Sequence, residues 1–146
     1  MTGDALFDER LDFQLYTASR LLQQVCQSRL GERGLTYTQY LVLRVLWERD
    51  NQGAGDIGQR LGLSGSTLTP VLQRLERGGW VARSHGMADE RRLLVRLTKR
   101  GYRLKEQLGD LAEAMVSEAV GVEMGEAELS QLTALLGRLN GLLSRR

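Results

Sequence analysis

Residues 64–98 read SGSTLTPVLQRLERGGWVARSHGMADERRLLVRLT, and most of the side chains there that can do chemistry are hydroxyls, an amide and guanidiniums. They suit phosphate oxygens and base edges better than bond-making. Ser64 is a helix N-cap, and Leu68, Val71, Leu72 and Leu75 follow at helical spacing, which turns Ser66, Thr67, Thr69, Gln73, Arg74 and Arg77 away from the apolar stripe. Gly78 and Gly79 end that helix. Residues 80–83 and 93–97 then read as two strands, joined by a loop rich in Gly, Asp and Arg. A helix with small hydroxyls outward can approach a duplex closely, flanked by Arg83, while a hairpin tip carrying Asp89, Arg91 and Arg92 can reach a neighbouring groove.

Over residues 64–100, eight Lys or Arg stand against three acids, whereas the whole 146-residue chain carries only +2. Positive charge is gathered on one module and the remainder is net negative, which is the footprint phosphate contacts require. A merely solvated basic surface would explain the charge. It would not explain why the charge coincides with a hydroxyl-rich helix and a basic hairpin.

The elements that position these residues follow from periodicity. A first helix starts near Leu6, with Leu11, Leu15, Ala18, Leu22 and Val25 on one line, and Gly31 and Gly34 close it. Thr36 opens a second helix that buries Tyr40, Leu43, Leu46 and Trp47. Residues 51–55 read as a flexible break, and a short helix over 56–61 leads through Gly62 and Leu63 into Ser64, making a helix-turn-helix. Thr98 caps one longer helix with Tyr102, Leu104, Leu108, Leu111, Met115 and Val116 inward, interrupted at 121–125. The last segment carries Leu129, Leu132, Leu135, Leu136, Leu139, Leu142 and Leu143, a stripe rich enough to pack against another chain, the alternative being the module's own core.

The expected fold is mainly α with a small β-hairpin (α+β): a winged helix-turn-helix over 35–100, with helical dimerisation regions at 1–34 and 101–146. A chain of this length makes one domain, or a small domain that completes its core by dimerising. There is no apolar run long enough for a membrane span and no signal sequence, so the expectation is a cytoplasmic protein without a membrane partner. One cysteine excludes an internal disulfide, and one cysteine with one histidine makes no zinc site. Without a P-loop, Gly-x-Ser-x-Gly or paired-carboxylate motif, neither an enzyme nor a cofactor is expected. The rivals are a winged helix that binds only protein and a thiol peroxidase.

The order of elements resembles the MarR family of dimeric winged-helix transcription factors over essentially the whole chain. Asp89-Glu90-Arg91-Arg92 is similar to the family's wing hallmark, in which an aspartate steadies an arginine that enters the minor groove. Leu35-Thr36-Tyr37-Thr38-Gln39-Tyr40-Leu41, Leu46-Trp47-Glu48 and Gly65-Ser66-Thr67-Leu68-Thr69-Pro70 resemble the organic-hydroperoxide-sensing branch, whose members repress peroxide-detoxification genes until a cysteine is oxidised. The resemblance implies a homodimeric repressor on a pseudo-palindromic operator in double-stranded DNA, with a hydroperoxide or small thiol as its chemical partner.

The chain departs from that branch at the sensor. The branch carries its cysteine in a context like Leu-Cys-Phe-x-Leu-Tyr, and here the string is Leu11-Asp12-Phe13-Gln14-Leu15-Tyr16. The only thiol, Cys26, falls where the branch usually has a tyrosine that hydrogen-bonds the sensing cysteine across the dimer. The resemblance thus makes Cys26 the redox candidate, with Tyr16, Asp12 and Tyr37 as pocket neighbours, Asp12 of one subunit approaching Cys26 of the other. A nearby carboxylate disfavours a thiolate, contrary to what a peroxide sensor needs. Three readings stand: an oxidation switch, a small buried hydrophobe, and a regulator controlled by a non-covalent small ligand with Cys26 only structural.

Overall fold

The structure, a computed structural model, describes residues 6–86 and 92–146. After a 3-10 turn at Phe7–Glu9, helix α1 spans Leu11–Leu30 and buries only Cys26 and Leu30. Helix α2 (Tyr37–Glu48) starts at a reciprocal cap: the Thr36 hydroxyl accepts from the Gln39 amide at 3.2 Å and the Gln39 side chain accepts from the Thr36 amide at 2.9 Å. Tyr40, Val42, Leu43 and Leu46 on α2 are wholly buried, so this helix is the axis of the core.

Strand β1 (Gln52–Gly53) lies where a flexible break was expected. It pairs antiparallel with β3 (Leu93–Leu97), which pairs on its other edge with β2 (Val81–His85), giving the order β1-β3-β2. Long-range bonds make the difference. The Asp50 carboxylate accepts from the Leu97 and Asn51 amides, each at 2.8 Å, and the buried Gln52 side chain donates to the Val45 carbonyl at 3.0 Å. Trp80, expected as the first residue of a strand, precedes β2, and the strand runs on to His85.

Helices α3 (Ala54–Leu61) and α4 (Gly65–Arg77) follow β1 and precede β2 in the chain. After β3 the Thr98 hydroxyl caps α5 (Lys99–Leu108), accepting from the Gly101 amide at 3.1 Å. The single longer helix expected here is two. The turn at Gly109 and Asp110, both poor helix formers, separates α5 from α6 (Leu111–Val120). Tyr102, expected inward, is exposed.

Contacts divide the chain into two compact units, residues 1–112 and 113–146. The first holds α1 to α5 and the three strands. In the second, helix α7 (Glu126–Leu143) buries none of its residues, and Leu132, Leu135, Leu142 and Leu143 are 45–57% exposed. Among the described residues, no helix is long and apolar enough to cross a membrane, and no group of His, Cys, Asp or Glu is placed to hold a metal ion.

Gly101 lies hard against the backbone of Trp80. A Cβ on Gly101 would lie 2.1 Å from the Trp80 carbonyl oxygen and 3.3 Å from the Leu97 side chain. Ala normally favours a helix over Gly by up to about 1 kcal/mol, but here overpacking opposes it. Gly101→Ala is expected to destabilise by about 2 kcal/mol or more, read as a lower urea midpoint; an unchanged or raised midpoint would refute the packing.

Candidate nucleic-acid interface

A tight turn sets α4 against α3. Gly62 takes φ +68°, and the Leu63 amide donates to the Gly58 carbonyl at 2.8 Å, so the chain reverses within three residues. Gly58 must also be small, because a Cβ there would meet the Leu63 carbonyl at 2.9 Å. Ser64 then caps α4, accepting from the Thr67 amide at 3.3 Å, and Leu68, Val71, Leu72 and Leu75 are buried as the spacing required. That burial fixes the opposite face. Ser64, Ser66, Thr67, Thr69, Gln73, Arg74 and Arg77 are all exposed.

The cap residues also hold one another. The Ser64 hydroxyl bonds those of Ser66 at 3.1 Å and Thr67 at 3.0 Å, and the Thr69 hydroxyl donates to the Gly65 carbonyl at 2.7 Å. Pro70 supplies no amide to the carbonyl of Ser66 four residues back, leaving that acceptor on the exposed side of the helix. The start of α4 is a short polar surface with restricted rotamers, which lowers the entropy lost when a duplex docks.

Two carboxylates lock the wing to the helices. Glu76, in the last turn of α4, receives the Arg83 side chain at 3.0 and 3.2 Å and the Arg83 backbone amide at 3.2 Å. These hydrogen bonds hold the Glu76 carboxyl below the usual carboxylate range. Its contribution is therefore full above that range and fades only as pH falls through the lowered value. Arg83, expected among the DNA contacts, is thus occupied as a brace between α4 and β2. On the other side, the Arg92 guanidinium donates to Asp56 in the first turn of α3 at 3.3 Å. A Cβ on Gly53 would come within 3.1 Å of both groups, so the bare backbone there makes room for the pair. Neither Asp56 nor Glu76 stood out in the sequence, because Asp56 is 36 residues from its partner and local pattern carries no trace of it. The expected arrangement of Asp89 with Arg91 lies outside the described residues.

Cys26 is wholly buried. Asp12 and Tyr16 lie exposed on the same helix, and at about 1.5 Å rise per residue Asp12 is roughly 21 Å from Cys26 along α1. Within one chain these do not form a common pocket. Tyr16 and Tyr37 do come together, lining an open cleft of about 720 Å3 between α1 and α2 with Leu15, Arg20, Gln23 and Thr38.

Residues 35–93 match the MarR family model. The chain is 38% identical over 91% of its length to the HTH-type transcriptional regulator TtmR of Methylorubrum extorquens (strain PA1), spanning 69% of that protein. It is 35% identical over 88% of its length to the organic hydroperoxide resistance transcriptional regulator of Bacillus subtilis (strain 168), spanning 86% of it. Among solved structures, reduced AbfR bound to DNA superposes with a TM-score of 0.80 at 36% identity, covering 92% of this chain and 90% of that one; AbfR comes from Staphylococcus epidermidis. Bordetella bronchiseptica BpsR, whose DNA binding is regulated by 6-hydroxynicotinic acid, superposes with a TM-score of 0.81 at 27% identity, covering 92% and 95%.

Arg74 is exposed on the same side of α4 as Gln73 and Arg77, and no described carboxylate pairs with it. Arg74→Ala is expected to weaken duplex binding. A base contact costs about 1–3 kcal/mol and relaxes one position of the preferred sequence, while a phosphate contact lowers affinity uniformly and reduces the salt slope by about one unit. Unchanged affinity by anisotropy titration would remove Arg74 from the interface.

Proposed function

Because the chain belongs to the MarR family, whose relatives here are transcriptional regulators rather than enzymes, we propose that it is a homodimeric repressor that places two copies of α4 on a pseudo-palindromic operator and is released by oxidation of Cys26. The observation that carries the DNA reading is the exposed face of Ser64, Ser66, Thr67, Thr69, Gln73, Arg74 and Arg77, stiffened by Glu76–Arg83 and Asp56–Arg92. Asp89, Arg91 and Arg92 complete the interface at the wing. Functionally the chain divides into this module, 35–100, and dimerising segments at 1–34 and 101–146. Half-sites about one helical turn (~34 Å) apart make affinity sensitive to any change in the separation of the two modules.

Dimerisation follows from α7. Several leucines half or more exposed on one helix are costly in water, and each buried in an interface contributes about 1.5–3 kcal/mol. Leu135→Glu, present once in each subunit, is expected to weaken the dimer by about 3 kcal/mol or more. Sedimentation equilibrium measures this, and a variant as dimeric as the wild type would refute the interface.

Redox control rests on Cys26 in a close-packed core. A hydroperoxide oxidises the thiol to a sulfenic acid and leaves as the alcohol; with one cysteine in the chain, the sulfenic acid then condenses with a small thiol or the partner's Cys26, releasing water. Added atoms at interior packing density displace α1 and disturb the spacing of the modules. Complete burial makes access through local opening part of this mechanism. The second reading is a non-covalent ligand in the cleft that Tyr16 and Tyr37 line, favoured by their juxtaposition and by the regulation of BpsR.

An organic hydroperoxide, titrated with and without a small thiol against the complex with an operator duplex selected by the protein from random DNA, separates them. Wild type is expected to release and Cys26→Ser to stay bound. Equal release from both, or release from neither, would leave Cys26 as packing and favour the ligand reading.

A further inference from the structure

Arg33, Arg100 and Arg103 converge, with Trp80, Leu104 and Gln107, on a cleft of about 250 Å3. Arg33 comes from the turn before α2, and the other two from the first two turns of α5. Among the described residues, no acid lines it. Other arginines have carboxylate partners, Glu48 for Arg60, Glu76 for Arg83 and Asp56 for Arg92, whereas none of these three has an ion pair among the described residues.

Neighbours orient two of the guanidiniums without cancelling their charge. Arg33 donates to the Gln107 side-chain oxygen; Arg100 donates to the Gly78 carbonyl and lies 3.8 Å from the centre of the Trp80 ring. The arrangement opposes folding electrostatically. Like charges around one cleft repel, and Arg100 sits in the first turn of α5, at the positive end of the helix dipole, where an acid is preferred and none is present. Ordinary solvated arginines would not need a stacking ring and two acceptors to hold them there. A negative ligand offsets both costs at once.

We propose that this cleft binds a phosphate group, supplied by a DNA backbone or by a free phosphate anion. Guanidinium forks match phosphate oxygens bidentately. At about 250 Å3 the cleft is smaller than the sites that enclose drug-sized ligands, and a phosphate fits it. Gly78 and Trp80 directly follow α4, so an occupied cleft also steadies the end of that helix. The DNA source rests on the reading of α4 as the recognition helix; the free-anion source does not.

The test uses the full chain as wild type, Arg103→Gln and Arg103→Lys, with inorganic phosphate and a random-sequence duplex as probes. Arg103 is exposed, so neither change touches the core, and circular dichroism checks the fold. Phosphate, titrated against chloride at matched ionic strength, is expected to raise the wild-type melting temperature, with a severalfold higher concentration required by Arg103→Gln and an intermediate one by Arg103→Lys. A DNA source lowers the salt slope of duplex binding by about one unit in Arg103→Gln. A lost phosphate response with an unchanged slope identifies the free anion. A wild type that responds to phosphate but never binds duplex supports the cleft and counts against the DNA reading. Equal phosphate responses together with equal salt slopes overturn the proposal.

Discussion

A buried indole N–H must find an acceptor, and Trp47 finds the Gly101 carbonyl at 2.8 Å. Much of the first unit depends on that bond. It pulls the start of α5 against α2 so closely that Gly101 rests on the Trp80 backbone, where no Cβ fits. Thr98 reinforces the contact, its hydroxyl donating toward the Gly79 and Trp80 carbonyls and its amide donating to Trp80 at 3.1 Å. Trp80 in turn leads out of α4 and into β2. The core helix, the exposed helix and the first wing strand are therefore referred to one point, and the hydroxyl-bearing face of α4 inherits its position from it.

The arginines divide according to what surrounds them. Arg83 and Arg92 meet carboxylates and serve as struts between wing and helices, giving up part of their charge to geometry. Arg74 and Arg77 have no described carboxylate partner and keep theirs available on the α4 surface. Such exposed pairs contribute little to stability, typically under about 1 kcal/mol. Their value lies in orientation, since a wing held at two places loses less freedom when it meets a partner.

Cys26 sits under an opposite constraint. Complete burial suits a small apolar side chain and lowers the chance of encounter with any oxidant, yet the same packing makes the site intolerant of added atoms. A core position is slow to react and strongly coupled to the fold once it has reacted. The cleft of Tyr16 and Tyr37 has the reverse character, open and accessible but without the thiol.

Local signals were enough for the helices and their faces. The caps at Thr36, Ser64 and Thr98, the buried stripe of α4 and the surplus leucines of α7 are all written within one or two helical turns, where periodicity and capping chemistry act. The MarR resemblance was legible for the same reason, since its strings are contiguous. Tertiary structure alone decided what distant residues do to each other. It made a third strand of Gln52 and Gly53, split one expected helix at Gly109, and assigned Arg83 and Arg92 to Glu76 and Asp56. Those outcomes depend on which groups meet after the chain has folded, and partners such as Asp56 and Arg92, 36 residues apart, leave no periodic mark in the sequence between them.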